Sequence, residues 1–391
     1  MDKKVYLDNA ATTFVSGEVL NEMMPCFNAI YGNPSSIHSY GRDAAAIVDR
    51  ARDRVKNAIG AKSSTEIYFT SGGTEADNWA IKGIAHAYKN KGKHIIVSQI
   101  EHHAILNACA ELEKEGYEVT YVKVDKHGLV SIADIMHAIR KDTTLISIMA
   151  VNNEVGTIQN LLAIAKTAHE NGVIFHTDAV QAIGALKINV QDMEIDAMSM
   201  SAHKIYGPKG CGALYLKSGI RIENLIDGGN QERGKRGGTL NVPAIAGFGK
   251  AIEIATRDLL INQKKIKSIR EYFLSKVEER IPYIHVNGHP YQKIQGTVNI
   301  SFEMIEGESI LMLLDLDGIA VSTASACTSN SLEPSHVLKA MGIPDEIAQG
   351  SIRFSIGKNT SKSDIDYVVE KLAVAVEILR SISPITKAGR K

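Results

Sequence analysis

The chain is short of cysteine, of net charge and of long apolar runs, and each shortage removes a class of explanation. Four cysteines, Cys26, Cys109, Cys211 and Cys327, are scattered over 391 residues with no Cys-x-x-Cys pair. That is no disulfide framework; it fits a reducing compartment, so a cytoplasmic location is expected. Lys plus Arg number 44 and Asp plus Glu number 44, a net charge of zero. Nothing electrostatic therefore argues for nucleic acid or an anionic membrane as partner. No apolar run approaches the roughly 20 residues needed to span a bilayer. The start Met1-Asp2-Lys3-Lys4 is neither a secretory signal nor a transit segment. No His-Glu-x-x-His is present, and no metal site is expected. Gly229 to Lys235 nearly spells a phosphate-binding nucleotide loop, but Arg236 follows where Ser or Thr must hold magnesium.

What is present is the texture of a large globular enzyme, 44% hydrophobic and 23% charged, with ample material for a core. From about residue 60 to 220, Val- and Ile-rich runs alternate with helical patterns. Strands are expected at 66–70, 94–98, 118–124, 145–151, 173–177, 196–200 and 212–216. Helices are expected at 74–88, 104–114, 131–139 and 161–170. This alternation predicts an α/β fold whose large domain holds a mainly parallel sheet covered by helices. One long helix is expected over 242–279. After it, strands at 295–302 and 351–356 and helices at 309–316 and 363–381 suggest a smaller α+β domain. We expect residues 16–254 to form the large domain, and 1–15 with 255–391 the small one.

In open parallel sheets ligands bind where strands end, and the polar oddities of this sequence fall there. Thr70-Ser71-Gly72-Gly73-Thr74-Glu75 leaves a strand and opens a helix; its glycines and free N–H groups suit a phosphate, and Thr74 adds a hydroxyl or merely caps the helix. Asp178 ends a buried strand, where a carboxylate needs a cation such as the protonated ring nitrogen of pyridoxal phosphate; an ordinary helix cap is the alternative. Gln181 and Asn152 are placed to donate to that ring's oxygen. Lys204 follows a strand directly and precedes Tyr206-Gly207-Pro208, a rigid base from which a desolvated amine can bond an aldehyde. His102, before another helix, can stack on a ring and move protons near neutral pH. Cys327 lies in Ser322 to Asn330, a run of small polar residues expected to be a mobile loop.

Taken in order, these motifs resemble the cysteine desulfurases of the NifS/IscS type, within the class-V aminotransferase-like pyridoxal-phosphate fold. The resemblance is carried by Tyr6 to Thr13, Tyr31 to Ser36, Thr70 to Glu75, Glu101-His102, Asn152 to Thr157, His176 to Gln181, Ser201 to Lys204, Arg236 to Thr239 and Ser325 to Ser329. It implies that Lys204 holds the cofactor covalently, that Asp178 pairs with the ring nitrogen and that His102 stacks on the ring. It implies that Gly73, Thr74, Ser201 and His203 hold the phosphate, with Asn152 and Gln181 near the ring oxygen. Thr239 would reach the phosphate of a neighbouring subunit, which implies a homodimer. Arg353, with Asn152, would bind the substrate carboxylate. Cys327, on a loop at 322–331, would take sulfur from L-cysteine as a persulfide and leave L-alanine. A sulfur acceptor such as an iron–sulfur scaffold protein is the implied partner. Selenocysteine lyase, or another class-V enzyme, is the alternative activity. This chain departs from the common pattern at Gly73 (Ala in many relatives), Asp77 (Asn), Gly237 (Ser) and Ala324 (Gly).

Overall fold

The computed structural model describes residues 3–323 and 334–383. Seven strands form the main sheet: β2 (Ile67–Thr70), β3 (His94–Ser98), β4 (Glu118–Val122), β5 (Thr143–Ser147), β6 (Ile174–Asp178), β7 (Ala197–Ser201) and β8 (Gly212–Leu216). They follow β1 (Val5–Tyr6), which pairs elsewhere. Their order is β2-β8-β7-β6-β5-β3-β4. β8 runs against both neighbours and the other six share one direction. The mainly parallel α/β sheet expected from the alternation is therefore present.

Side chains alternate across a strand, so each strand feeds two cores. Phe69, Ile96, Ile146, Phe175 and Met198 join one core with the helices Ser39–Ile59, Leu161–Glu170 and Val242–Arg257. Tyr68, Ile95, Leu145, Ile174 and Ala197 join the other, under the helical stretch 73–87 and the helix His103–Lys114. On this second face the strands turn polar toward their C-terminal ends. Leu145 gives way to Ser147, Ile174 to His176 and Asp178, and Ala197 to Ser199 and Ser201. A buried polar track results, and it is the floor of the candidate site.

A third core joins Val5, Leu7, Phe273, Ile300, Phe302, Leu314, Phe354 and Leu372. It belongs to an antiparallel sheet of β9 (Ile284–Asn287), β10 (Thr297–Phe302), β12 (Ser322–Thr323) and β13 (Ser351–Ser355), in the order β12-β13-β10-β9. Between β10 and β12 runs β11 (Ile319–Ala320), parallel to β1. The N-terminal segment is thus sewn to the C-terminal part of the chain, and Asp8 bridges to Ser355.

Three local expectations need correcting. The single helix over 242–279 is two, Val242–Arg257 and Leu259–Arg280, broken at Asp258. A one-residue break leaves the apolar spacing almost in phase, so periodicity does not register it. The strand placed at 145–151 begins at Thr143 and ends at Ser147, although Ile148 and Ala150 still donate to the His176 and Asp178 carbonyls. Ser322 and Thr323, expected in a loop, form β12 and pair with Arg353 and Ile352; their small side chains fit a ladder as readily as a loop. Among the described residues no helix is long and apolar enough to cross a membrane.

Candidate active site

The loops singled out from the sequence do converge on one rim, the C-terminal ends of β2, β3, β5, β6 and β7. Lys204 sits on a short helical turn after β7, and its Nζ donates to the Ala10 and Ala11 carbonyls at 2.6 and 2.7 Å. Gln181 Nε2 reaches the same Ala10 carbonyl at 2.9 Å. His203 Nδ1 lies 3.1 Å from Thr12 Oγ1, while its carbonyl receives the Thr13 amide. Residues 10–13 thus cover the lysine from behind, a support that the sequence motif marks but does not explain.

Asp178, at the end of β6, is 6% exposed. One oxygen accepts the Val180 amide at 2.8 Å. Burial raises its pKa, and the Val180 amide and the Lys204 ammonium oppose that rise. An acid so buried and facing a cation fits the partner of a protonated ring nitrogen. His102 caps the helix His103–Lys114 by accepting the Ala104 amide on Nδ1. Burial, and then the charges of Lys204, His103 and His336, push its pKa down to about 4. His102 is a neutral ring with Nδ1 as acceptor and the proton on Nε2, suited to stacking. His203 is likewise pushed down to about 4 by burial and by Lys204.

The phosphate turn and Ser201 supply the anion end. A Cβ at Gly73 would lie 2.7 Å from Val180 Cγ2, so a larger residue there requires that side chain to shift. Ser201 Oγ is buried with no hydrogen-bond partner among the described residues, a cost that a bound phosphate oxygen would remove. Thr74 is exposed at the helix start and Glu75 Oε2 accepts the Ser71 amide. Glu75 also holds Arg236 through two bonds, at 2.7 and 2.9 Å. That pair ties down the segment bearing Thr239, which is exposed.

Arg353, on β13, is buried. Its Nη1 donates to the Asn153 carbonyl and its Nη2 to Asp8 Oδ1. Asn152 is fully buried; its Oδ1 accepts the Glu154 and Val155 amides and its Nδ2 donates to the Ile100 carbonyl. Cys327 lies outside the described residues, but the chain on either side of it is fixed at the site. Ser322 pairs with Arg353, and Ser335 bonds Glu154.

The match to known proteins follows this geometry. The family model for aminotransferase class V covers residues 5–368. The chain belongs to the class-V aminotransferase family. Within it, the chain is 52% identical over 98% of its length to a cysteine desulfurase IscS of Methanosarcina thermophila, covering 95% of that protein. It is 51% identical over 98% of its length to one of Clostridium botulinum, covering 97% of that protein. A solved NifS-like protein superposes with a TM-score of 0.91 at 38% identity, over 96% of this chain and 100% of that one. SspA in complex with cysteine does so with 0.81 at 36% identity, over 92% and 100%.

Beneath this family site lies a feature that sequence reading only brushed. Asp77, on the helix after the phosphate turn, is 1% exposed, and its Oδ1 has no hydrogen-bond partner among the described residues. His176 Nε2 is 4.0 Å from that oxygen. His176 is itself held between Ser147 and Ser199 at 2.8 and 3.0 Å, and burial drives its pKa to about 3. With a neutral imidazole beside it and Asp178 repelling it, Asp77 has its pKa raised well above 3.8, chiefly by burial. Burial thus favours its protonated form. The folded chain then keeps a proton that the unfolded chain has lost, so stability falls as pH rises from the unfolded value toward the folded one. Asp77→Asn should remove that dependence and gain on the parent as pH rises. Urea midpoints at about pH 5 and about pH 8 would measure it. A variant that lost ground at the higher pH would mean that Asp77 is ionised.

Proposed function

We propose that the protein is a pyridoxal-phosphate-dependent cysteine desulfurase that converts L-cysteine to L-alanine and leaves the sulfur on Cys327 as a persulfide. The observation that carries this is the convergence of Lys204, Asp178 and His102 on one rim, with a buried hydroxyl, Ser201, that lacks a partner among the described residues. The residues present fit the cofactor: an amine for its aldehyde, an acid for its ring nitrogen, a neutral ring to stack, and hydroxyl and amide donors for phosphate. When bound, pyridoxal phosphate supplies an aldehyde for exchange with the substrate amine and a ring that takes up electrons from the substrate Cα.

The chain's own residues do the rest. Lys204 first holds the cofactor, then, displaced by substrate, accepts the Cα proton on Nζ. Asp178 would pair, as a carboxylate, with the ring nitrogen. Gly73, Thr74, Ser201 and His203 would hold the phosphate, and Gln181 and Asn152 would serve the ring oxygen. Arg353 binds the substrate carboxylate. The Cys327 thiolate attacks the substrate sulfur; the S–S bond forms as the Cβ–S bond breaks, and the carbon side leaves as alanine after reprotonation. The other three thiols support this choice by their inertness. Cys26, Cys109 and Cys211 are buried, and burial raises all three, the last two to about 12.

The reading extends to a homodimer in which Thr239 serves the partner's phosphate, to a cytoplasmic location, and to an iron–sulfur scaffold protein as sulfur acceptor. It also takes residues 16–254 as the cofactor domain and 1–15 with 255–391 as the domain that brings Arg353 and Cys327. Cys327→Ser should bind cofactor and cysteine yet form neither persulfide nor sulfide. Mass spectrometry of the intact chain after cysteine addition should find one added sulfur on the parent, on the peptide holding Cys327, and none on the variant. Normal turnover by the variant would defeat the assignment.

A further inference from the structure

Arg353 does not stand alone. Its Nη2 donates to Asp8 Oδ1 at 3.1 Å, its Nη1 to the Asn153 carbonyl at 3.0 Å, and its Nε is buried with no partner among the described residues. Nε and Nη2 are the side-on edge of a guanidinium, which a carboxylate takes with two parallel bonds. One corner of that edge is open and the other is shared with Asp8.

Next in the chain after Asn153 comes Glu154, 4% exposed. Its Oε2 accepts the Ser335 hydroxyl at 2.5 Å. Ser335 Oγ in turn accepts the Val337 and Leu338 amides at the start of the helix His336–Ala340. The Glu154 amide is held by Asn152 Oδ1 at 2.9 Å. A buried carboxyl is thus fixed between the turn whose carbonyl holds Arg353 and the helix that follows the Cys327 segment. The Arg353 charge is felt at this carboxyl and favours its ionised form.

We propose that Glu154 is a positioning residue that sets how tightly Arg353 binds a carboxylate: neutral, it leaves the guanidinium charge to the ligand, and ionised, it cancels part of it. This rests on the reading of Arg353 as the carboxylate-binding group. Burial raises Glu154 to about 7, against the Ser335 hydrogen bond and the Arg353 charge. Among the described residues, other charged or titratable groups reach the pair from two sides. Asp8 and Tyr6 come from the N-terminal segment, and burial raises the Tyr6 phenol. From the helix side comes His336, lowered by burial and bonded to the Glu101 carbonyl; the Glu101 carboxyl is raised by burial to about 8. Linkage is reciprocal, so an anion on Arg353 must draw a proton onto Glu154.

The sign follows. Below about pH 7 Glu154 is neutral and a carboxylate binds tightly; above it Glu154 carries a charge and the carboxylate is repelled. Propionate, whose own charge is constant over this range, is the probe. Its dissociation constant from the cofactor-loaded enzyme should rise about fivefold from about pH 6 to about pH 8. Titration calorimetry in buffers of different ionisation heat should also find proton uptake on binding near pH 7. Glu154→Gln, equal in shape, should bind propionate at the tighter level throughout, with no proton uptake. Ser335→Ala, which removes a bond favouring the ionised acid, should move the step to higher pH. A step of unchanged size in Glu154→Gln, or no step in the parent, overturns the proposal. Failure of the underlying reading looks different: Arg353→Gln would then bind propionate as well as the parent does.

Discussion

Lys204→Ala is expected to lose desulfurase turnover by at least about a thousandfold, the scale on which a positioned general base and a covalent anchor act. It should lose with it the visible absorption of lysine-bound cofactor. Three effects combine. The amine that receives the Cα proton is gone. The ammonium opposing the burial of Asp178 is gone, so the Asp178 pKa rises further and less of it is ionised at neutral pH. The Ala10 and Ala11 carbonyls lose their shared donor, which loosens the segment behind the site. Lys204→Arg separates these, because it restores a cation and donors to the carbonyls but cannot bond the aldehyde or accept a proton. It should regain stability and Asp178 ionisation while remaining inactive. Turnover by Lys204→Ala within about tenfold of the parent would remove the lysine from the chemistry, since it would leave less than a positioned base supplies.

The parts of this site legible in the sequence are those that period and end-position encode. Parallel strands put His102, Asp178 and Lys204 at one rim, and that required only strand ends. The helix Ser39–Ile59 is absent from the expected elements, although its apolar stripe Ala44, Ile47, Val48, Ala51, Val55 and Ile59 carries the same period. What was not legible depends on contacts between distant segments. Asp8 and Arg353 are 345 residues apart and Glu154 and Ser335 are 181 apart, yet each pair is bonded. No local pattern marks such partners, because a carboxylate in a loop reads the same whether it faces water or a guanidinium. His102 shows the same limit in another form. Its place before a helix was readable, but its low pKa comes from burial and from Lys204, His103 and His336, two of which arrive from far along the chain. The polar track Ser147, His176, Ser199 was hidden for a different reason. Short polar residues in strands look like noise in an apolar run until the alternation is set against a covering helix.

The largest structural effect is expected at a pair that supports the site without touching it. Arg52, on the helix Ser39–Ile59, and Glu232 are both buried, and the arginine makes two bonds to the carboxylate at 2.8 and 2.7 Å. It also donates to the Ile67 carbonyl and lies 4.7 Å above the Phe69 ring. Glu232 additionally accepts the Phe69 amide, which fixes the edge of β2. This bonding keeps Glu232 and Arg233 in the left-handed region, at φ of 45° and 59°, a conformation that side-chain-bearing residues resist. Arg52→Ala leaves an uncompensated buried carboxylate and frees a strained turn, so it should cost about 3–5 kcal/mol of stability. The turn leads directly to Arg236 and Thr239. Cofactor should therefore be released at lower denaturant than unfolding requires, because the Arg236–Glu75 pair behind the phosphate turn loosens first. Arg52→Met with Glu232→Leu should recover most of the stability, since an apolar pair of similar volume removes both charges at once. It should not recover the early loss of cofactor, because the left-handed turn has lost the bonds that hold it. Urea titration followed by both cofactor absorbance and circular dichroism measures the two effects together. If Arg52→Ala unfolded within about 1 kcal/mol of the parent, the pair would be behaving as a surface salt bridge and its burial would count for nothing.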